Sequence, residues 1–199
     1  MENDTFLTIA SASEGLYRDK GSKFMAFAYP VSNEEEIREK QESLRKKYFD
    51  ARHHCFAWRL GVTGDRFRTG DDGEPSNTAG KPILGQIISF GLTDILVVVV
   101  RYFGGILLGT GGLIQAYKQA SLEALTRAEI VSSVFAETCL IRFDYRNMNQ
   151  VLKVVKDMKL ECTDRCFENR CSLKVKVRRS LSAVLLHRLE RIASVEMMA

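Results

Sequence analysis

Three carboxylates in four residues, Asp71, Asp72 and Glu74, stand in a glycine-bounded stretch reading TGDDGEPSNTAGKP from Thr69 to Pro82. Such a cluster offers the hard oxygen donors that a divalent cation takes. The alternating ligands and terminal glutamate of a calcium loop are missing, and no metal is expected. Two other readings fit the same residues: a hydrogen-bonded acidic loop that pairs with a cation such as Arg101, and a solvated turn, for which Asp-Asp-Gly is good chemistry.

The second chemical segment is RYFGGILLGTGGL, Arg101 to Leu113. It follows Ile95–Val100, a run of aliphatic residues with the character of a strand buried on both faces. Arg101 therefore emerges where that strand leaves the core, and its charge must find a partner or reach water. Gly104, Gly105, Gly109, Gly111 and Gly112 permit close approach of another surface. Gly-Thr-Gly-Gly ahead of a helix also leaves N–H groups free for a phosphate or carboxylate. No Gly-Lys-Ser/Thr follows, so this is not a Walker loop. Nor is it a dinucleotide fingerprint, which opens a helix inside a parallel βαβ unit.

Arg52, Arg59, Arg66 and Arg68 interleave with Phe56, Trp58 and Phe67. Basic and aromatic residues mixed in this way suit phosphates and bases. An amphipathic strand and loop would look the same. Lys81, Arg101 and Lys118 extend this set of candidate nucleic-acid contacts. His53 and His54 precede Cys55, but His54 and Cys55 point to opposite faces of a strand. No motif supports a cysteine nucleophile, and no catalytic residue is assigned. Cys162, Cys166 and Cys171, spaced C-x3-C-x4-C without a nearby histidine, read as reduced thiols rather than zinc ligands.

The elements that must hold these residues can be read coarsely. The chain has 199 residues, 45% hydrophobic and 27% charged, the balance of an ordinary globular protein. Its acidic start lacks a basic leader pattern and its longest apolar run is too short for a bilayer, so a cytoplasmic location is expected. Ser22–Tyr29 alternates as a strand. Ser32 and Glu35 form a capping box for a helix carrying Ile37, Leu44 and Tyr48. A strand at His54–Leu60, a polar loop from Gly61 to Gly80, and a helix with Ile83, Leu84, Ile87 and Ile88 follow. After Ile95–Val100 a helix is predicted from about Gln115 to Ala128. Beyond Val134 the pattern becomes β-α-β-β-α-β, the ferredoxin-like order, with strands at Leu160–Phe167 and Cys171–Arg178 joined by Glu168-Asn169-Arg170. The formal charge of +4 is uneven: residues 1–130 hold 16 Lys+Arg against 17 Asp+Glu, and residues 131–199 hold 13 against 8. Lys174, Lys176 and Arg178, sharing one strand face, make that last third a candidate anion-binding surface.

Read in order, KGSKF (Lys20–Phe24), DARHHCFAWR (Asp50–Arg59), DDGEP (Asp71–Pro75), TAGKP (Thr78–Pro82), RYFGG (Arg101–Gly105), LGTGGL (Leu108–Leu113) and Ala116-Tyr117 resemble the IMPACT/YigZ family. The tail is similar to the small C-terminal domain of its bacterial YigZ branch, which looks like the last domain of elongation factor G. The resemblance implies an α+β chain with two domains. Residues 1–134 would take the fold of the second domain of a ribosomal small-subunit protein, and residues 135–199 a ferredoxin-like fold. It marks His54, Asp71, Asp72, Glu74, Arg101 and the five glycines as the functional surface. It further implies a link to translational control, with RNA or the ribosome as partner and no small-molecule cofactor. An enzyme using the acidic loop and Arg101, or a protein-interaction module, are the alternatives. Three positions depart from the family pattern. Leu107 and Gln115 stand where basic residues are usual, and Asn77 replaces a glycine.

Overall fold

The computed structural model describes residues 4–167 and 171–198 of a mixed α/β chain with 11 strands and five α-helices among them. The expected turn at Glu168-Asn169-Arg170 lies outside the described residues. The chain divides into two compact units: Phe6–Ser133, and the part from Val134 onward together with Asp4 and Thr5.

The first unit is built on a five-stranded antiparallel sheet, β2 (Ser13–Asp19), β3 (Ser22–Pro30), β6 (Ile95–Tyr102), β4 (His53–Leu60) and β5 (Arg66–Gly70), in that spatial order. Alternate residues of the central strand β6 explain its unbroken apolar run. Ile95, Val97 and Val99 pack under α2 (Gly80–Ser89) and α3 (Gly109–Arg127) with Ile83, Ile87, Ala116 and Tyr117. Leu96, Val98 and Val100 face the other way, against Ile37 and Leu44 of α1 (Glu34–Lys47). Both faces are covered, so polar residues have no place on the strand between Ile95 and Val100. β1 (Thr5–Ile9) and β7 (Ile130–Val134) form a separate two-stranded sheet.

Several boundaries differ from the sequence expectation. The cap of α1 is Asn33, not Ser32: Asn33 Oδ1 accepts the Glu36 N–H at 2.9 Å, and the Glu36 carboxylate accepts the Ser32 N–H and hydroxyl at 2.8 and 2.9 Å. The box is thus shifted by one residue. The expected loop Gly61–Gly80 contains β5, an edge strand whose Arg66, Phe67 and Arg68 are all exposed and show no burial alternation. The third helix begins at Gly109 rather than Gln115, because its glycines form its own first turn.

The second unit runs β8 (Ala136–Phe143), α4 (Met148–Asp157), β9 (Glu161–Phe167), β10 (Cys171–Arg178), α5 (Arg179–Leu189) and β11 (Ser194–Met198). Its antiparallel sheet has the order β11-β8-β10-β9. Val151 and Val155 of α4 and Leu185 and Leu189 of α5 bury against Cys139, Ile141, Leu173 and Val175, so both helices lie on one face. Among the described residues of this unit no helix covers the other sheet face.

Candidate functional site

The register of the large sheet sets the site. Arg101 pairs with Phe24 on one side and His53 on the other, and all three extend the face that α2 and α3 cover. There the Arg101 guanidinium donates to Glu74 Oε1 at 2.5 Å, and the Tyr117 hydroxyl donates to the same oxygen at 2.8 Å. Arg101 is 5% exposed and Glu74 9%. The Phe24 and Phe103 rings stand 5.3 and 5.7 Å from the guanidinium carbon. Apolar walls and two charge-assisted bonds surround this buried ion pair, while the Arg101 Nε–H has no hydrogen-bond partner among the described residues.

The acidic loop is organised, not solvated. Asp71 accepts backbone N–H groups from Asn77 at 2.8 Å, Ala79 at 3.1 Å and Gly80 at 2.8 Å, so its carboxylate sits over the uncapped start of α2. Asp72 turns the opposite way and accepts the His54 N–H at 2.7 Å and the Arg45 guanidinium at 2.9 Å. Burial by itself would raise the Asp72 pKa, but the bonds from Arg45 and the His54 N–H outweigh it and hold the carboxyl below its usual range. Asp72, Gly73 and Asn77 have φ of 42°, 86° and 67°, which is how the chain turns tightly enough for three neighbouring carboxylates to reach three separate destinations. The expectation of a hydrogen-bonded acidic loop paired with Arg101 describes this arrangement. Carboxylates that diverge do not form a cation site, and among the described residues no three His, Cys, Asp or Glu side chains are grouped to hold a metal.

Cys55 and Tyr117 complete the floor. The Cys55 thiol donates to the Asp71 carbonyl at 3.0 Å and lies 3.3 Å from the Tyr117 hydroxyl. Burial pushes the pKa of both groups up, so each stays protonated. A thiol held neutral is not an activated nucleophile. His54, marked by the sequence as part of a functional surface, is instead 6% exposed. Burial and then the Arg45 charge lower its pKa, so the ring is kept neutral. It is a core histidine.

Residues 20–125 match the Impact N-terminal domain family. An IMPACT family member of Haemophilus influenzae is 36% identical over 153 residues, which is 75% of this chain and 73% of that protein. The chain belongs to the IMPACT family. The Escherichia coli IMPACT family member YigZ is 47% identical over 108 residues, 53% of each chain, so the match spans about half the length of that relative. A crystal structure of a hypothetical protein, 30% identical, superposes with a TM-score of 0.75 over 99% of this chain and 98% of its own.

The IMPACT motifs thus divide into buried and exposed parts. Gly104 is a packing residue: a Cβ there would lie 1.9 Å from the Gly21 carbonyl carbon and 2.1 Å from the Ser22 nitrogen. Gly105 and Gly109, with φ of 88° and 69°, and Gly111 face open space. They lie in an exposed turn with Phe103, Ile106 and Leu107, the last 83% exposed. Arg52 stands 5.8 Å from the centroid of the Phe103 ring. Asn77 has a left-handed backbone, which asparagine tolerates better than most residues.

The candidate nucleic-acid residues differ in how much of their charge is left free. Arg101 is withdrawn by Glu74. Arg59 is withdrawn too, since its guanidinium donates to the carbonyls of Thr63, Gly64 and Leu92 at 2.9, 2.8 and 3.1 Å. Arg66 pairs with Glu34 at 2.8 Å. In the second unit, Lys174 pairs across strands with Asp164 at 3.4 Å and Lys176 with Glu161 at 3.7 Å. Arg52, Arg68, Lys81, Lys118 and Arg178 remain exposed. The network residue that sequence reading missed is Tyr117. Its signal was the Ala116-Tyr117 block, but only the fold places its hydroxyl on Glu74.

Proposed function

We propose that this IMPACT family protein is a non-catalytic cytoplasmic regulator of translation that binds RNA or the ribosome. The observation that carries the reading is the division of the family motif. Glu74, Arg101, Asp71 and Asp72 are all bonded within the chain, while the Phe103–Gly111 turn stands exposed beside Arg52. Buried ion pairs of this kind hold a scaffold in one conformation, and exposed loop residues on such a scaffold bind partners. The family's implied link to translational control supports the same reading. The enzyme alternative needs Asp71, Asp72 and Glu74 to converge on one cleft, and their divergence counts against it.

The architecture fits this role. We read residues 135–199 as a ferredoxin-like domain, supported by the β-α-β-β-α-β sequence and the β11-β8-β10-β9 order. Residues 1–134 we read as the second-domain fold of a ribosomal small-subunit protein, on the strength of the family resemblance. No helix among the described residues is long and apolar enough to cross a membrane.

Co-sedimentation of the purified protein with ribosomes and with total RNA tests the proposal. Retention at low salt that falls steeply as salt rises is the expected result, because each phosphate contact releases counterions. No retention even at low salt overturns it. Exposed Ile106 and Leu107 favour a second reading, a protein-interaction module. Partner capture that survives nuclease treatment and is lost in Leu107→Glu would select it.

A further inference from the structure

The basic excess of the last third is not where the strand pattern puts it. On the face of the second sheet away from its helices, Arg142, Lys174, Lys176 and Arg178 are set against Glu161, Asp164 and Glu196. Three of those cations have carboxylate partners, Arg142 with Glu196 at 2.6 Å and the two cross-strand lysine pairs. Exposed pairs of this kind add little stability, but opposite charges side by side cancel the field that would attract a polyanion.

The helical side is different. Residues 148–160 and 179–193 hold six Lys and Arg against only Asp157 and Glu190. On α4, Val151 and Val155 face the core while Lys153 and Lys156 are exposed. On α5, Leu185 and Leu189 face the core while Arg188 is exposed, with exposed Arg191 just past the helix end. Among the described residues none of Lys153, Lys156, Arg188 or Arg191 has a carboxylate partner. Both helices cover the same sheet face, so these cations share one outer layer with an uncancelled positive charge.

We propose that this outer layer of α4 and α5, and not the other sheet face, is the surface through which the protein meets the phosphate backbone of double-stranded RNA. The inference rests on the RNA-binding reading above. Neither segment contains Phe, Tyr or Trp, so the layer has no stacking platform for unpaired bases. Flexible lysine and arginine arms without aromatics suit the regular phosphates of an A-form duplex, which proteins recognise by shape and backbone. α5 also exposes Leu181, Val184 and Leu186, residues that a lipid surface would take, so vesicles are one arm of the test.

The test compares the full chain with K153Q/K156Q/R188Q/R191Q and with K174Q/K176Q/R178Q, all exposed except the half-buried Lys174, and checks that each variant keeps the circular dichroism of the parent. The probes are a labelled RNA hairpin, a single strand of equal length, and vesicles of mixed neutral and anionic phospholipid. The helix variant should bind the hairpin at least about tenfold more weakly at low salt, with a salt slope reduced by about one per phosphate contact removed. The sheet variant should stay within about twofold of the parent. Preference for the single strand, equal hairpin affinity in the helix variant, or vesicle binding without hairpin binding each overturns the inference. A parent protein that binds neither RNA nor ribosomes refutes the broader RNA reading instead.

Discussion

Glu74 and Arg101 meet at 2.5 Å with side chains only 4% and 6% exposed, 27 residues apart in sequence and joined from a loop to a strand end. The pair closes the end of the α2/α3 layer and ties the acidic loop to the sheet. Its neighbours Tyr117, Phe24 and His53 come from three further elements. Loss of either charge would leave the other buried without compensation.

Arg101→Met or Glu74→Leu alone should therefore destabilise the protein by about 3–5 kcal/mol. The double variant should lose clearly less than the sum of the two, since the residues are in direct contact. Urea unfolding monitored by Trp58 fluorescence reads all three. Simple additivity would show that the two charges do not depend on each other.

Asp71→Ala removes an acceptor for three backbone N–H groups, and should cost about 2 kcal/mol. Asp71→Asn keeps one acceptor oxygen and should cost less. Thermal unfolding of the two variants against the parent gives the order. An alanine variant as stable as the parent would mean that the loop does not cap α2.

Acid should weaken the fold in two stages. His54 and Asp72 both have folded pKa values lowered from their ordinary values of 6.5 and 3.8. In each case the unfolded chain binds the proton more readily, so the stabilisation is present above the ordinary value and is lost as pH falls below it. His54 accounts for a first decline below pH 6.5, and Asp72 for a second below 3.8. Stability against pH for His54→Gln should be flatter between neutrality and pH 5 than for the parent. An unchanged slope would assign the first stage to another group.

Two glycines of one motif should respond with opposite signs. Gly104→Ala drives a methyl into the backbone of Gly21 and Ser22, and should cost about 2 kcal/mol or more because neither strand end can withdraw cheaply. Gly111→Ala meets nothing within 4 Å and lies in the first turn of α3. It should stabilise by about 0.5–1 kcal/mol by lowering the freedom of the unfolded chain. Paired melts of the two variants settle both signs.

The elements legible in the sequence were those whose burial writes a period into the side chains. Ile95–Val100 is covered on both faces and reads as an unbroken aliphatic run. Cys171–Arg178 is covered on one face and alternates. β2 was missed because its one fully buried inward position is Gly15, where a Cβ would run into the backbone of Ala124 in α3. Close packing there demands the absence of the side chain that would have signalled it. β5 was missed because an exposed edge strand carries no apolar period.

Charge partners were less legible than elements. The sequence by itself determined that Arg101 leaves a buried strand and must be neutralised, because a lone guanidinium cannot remain unpaired in the core. Only the tertiary structure decided that Glu74 does this while Asp71 and Asp72 turn to α2 and to Arg45. The same holds for the tail, where composition established a basic excess but cross-strand register cancelled it on the sheet and left it on the helices. Composition counts charges, whereas the field at a surface depends on which opposite charge the fold brings within a few ångströms.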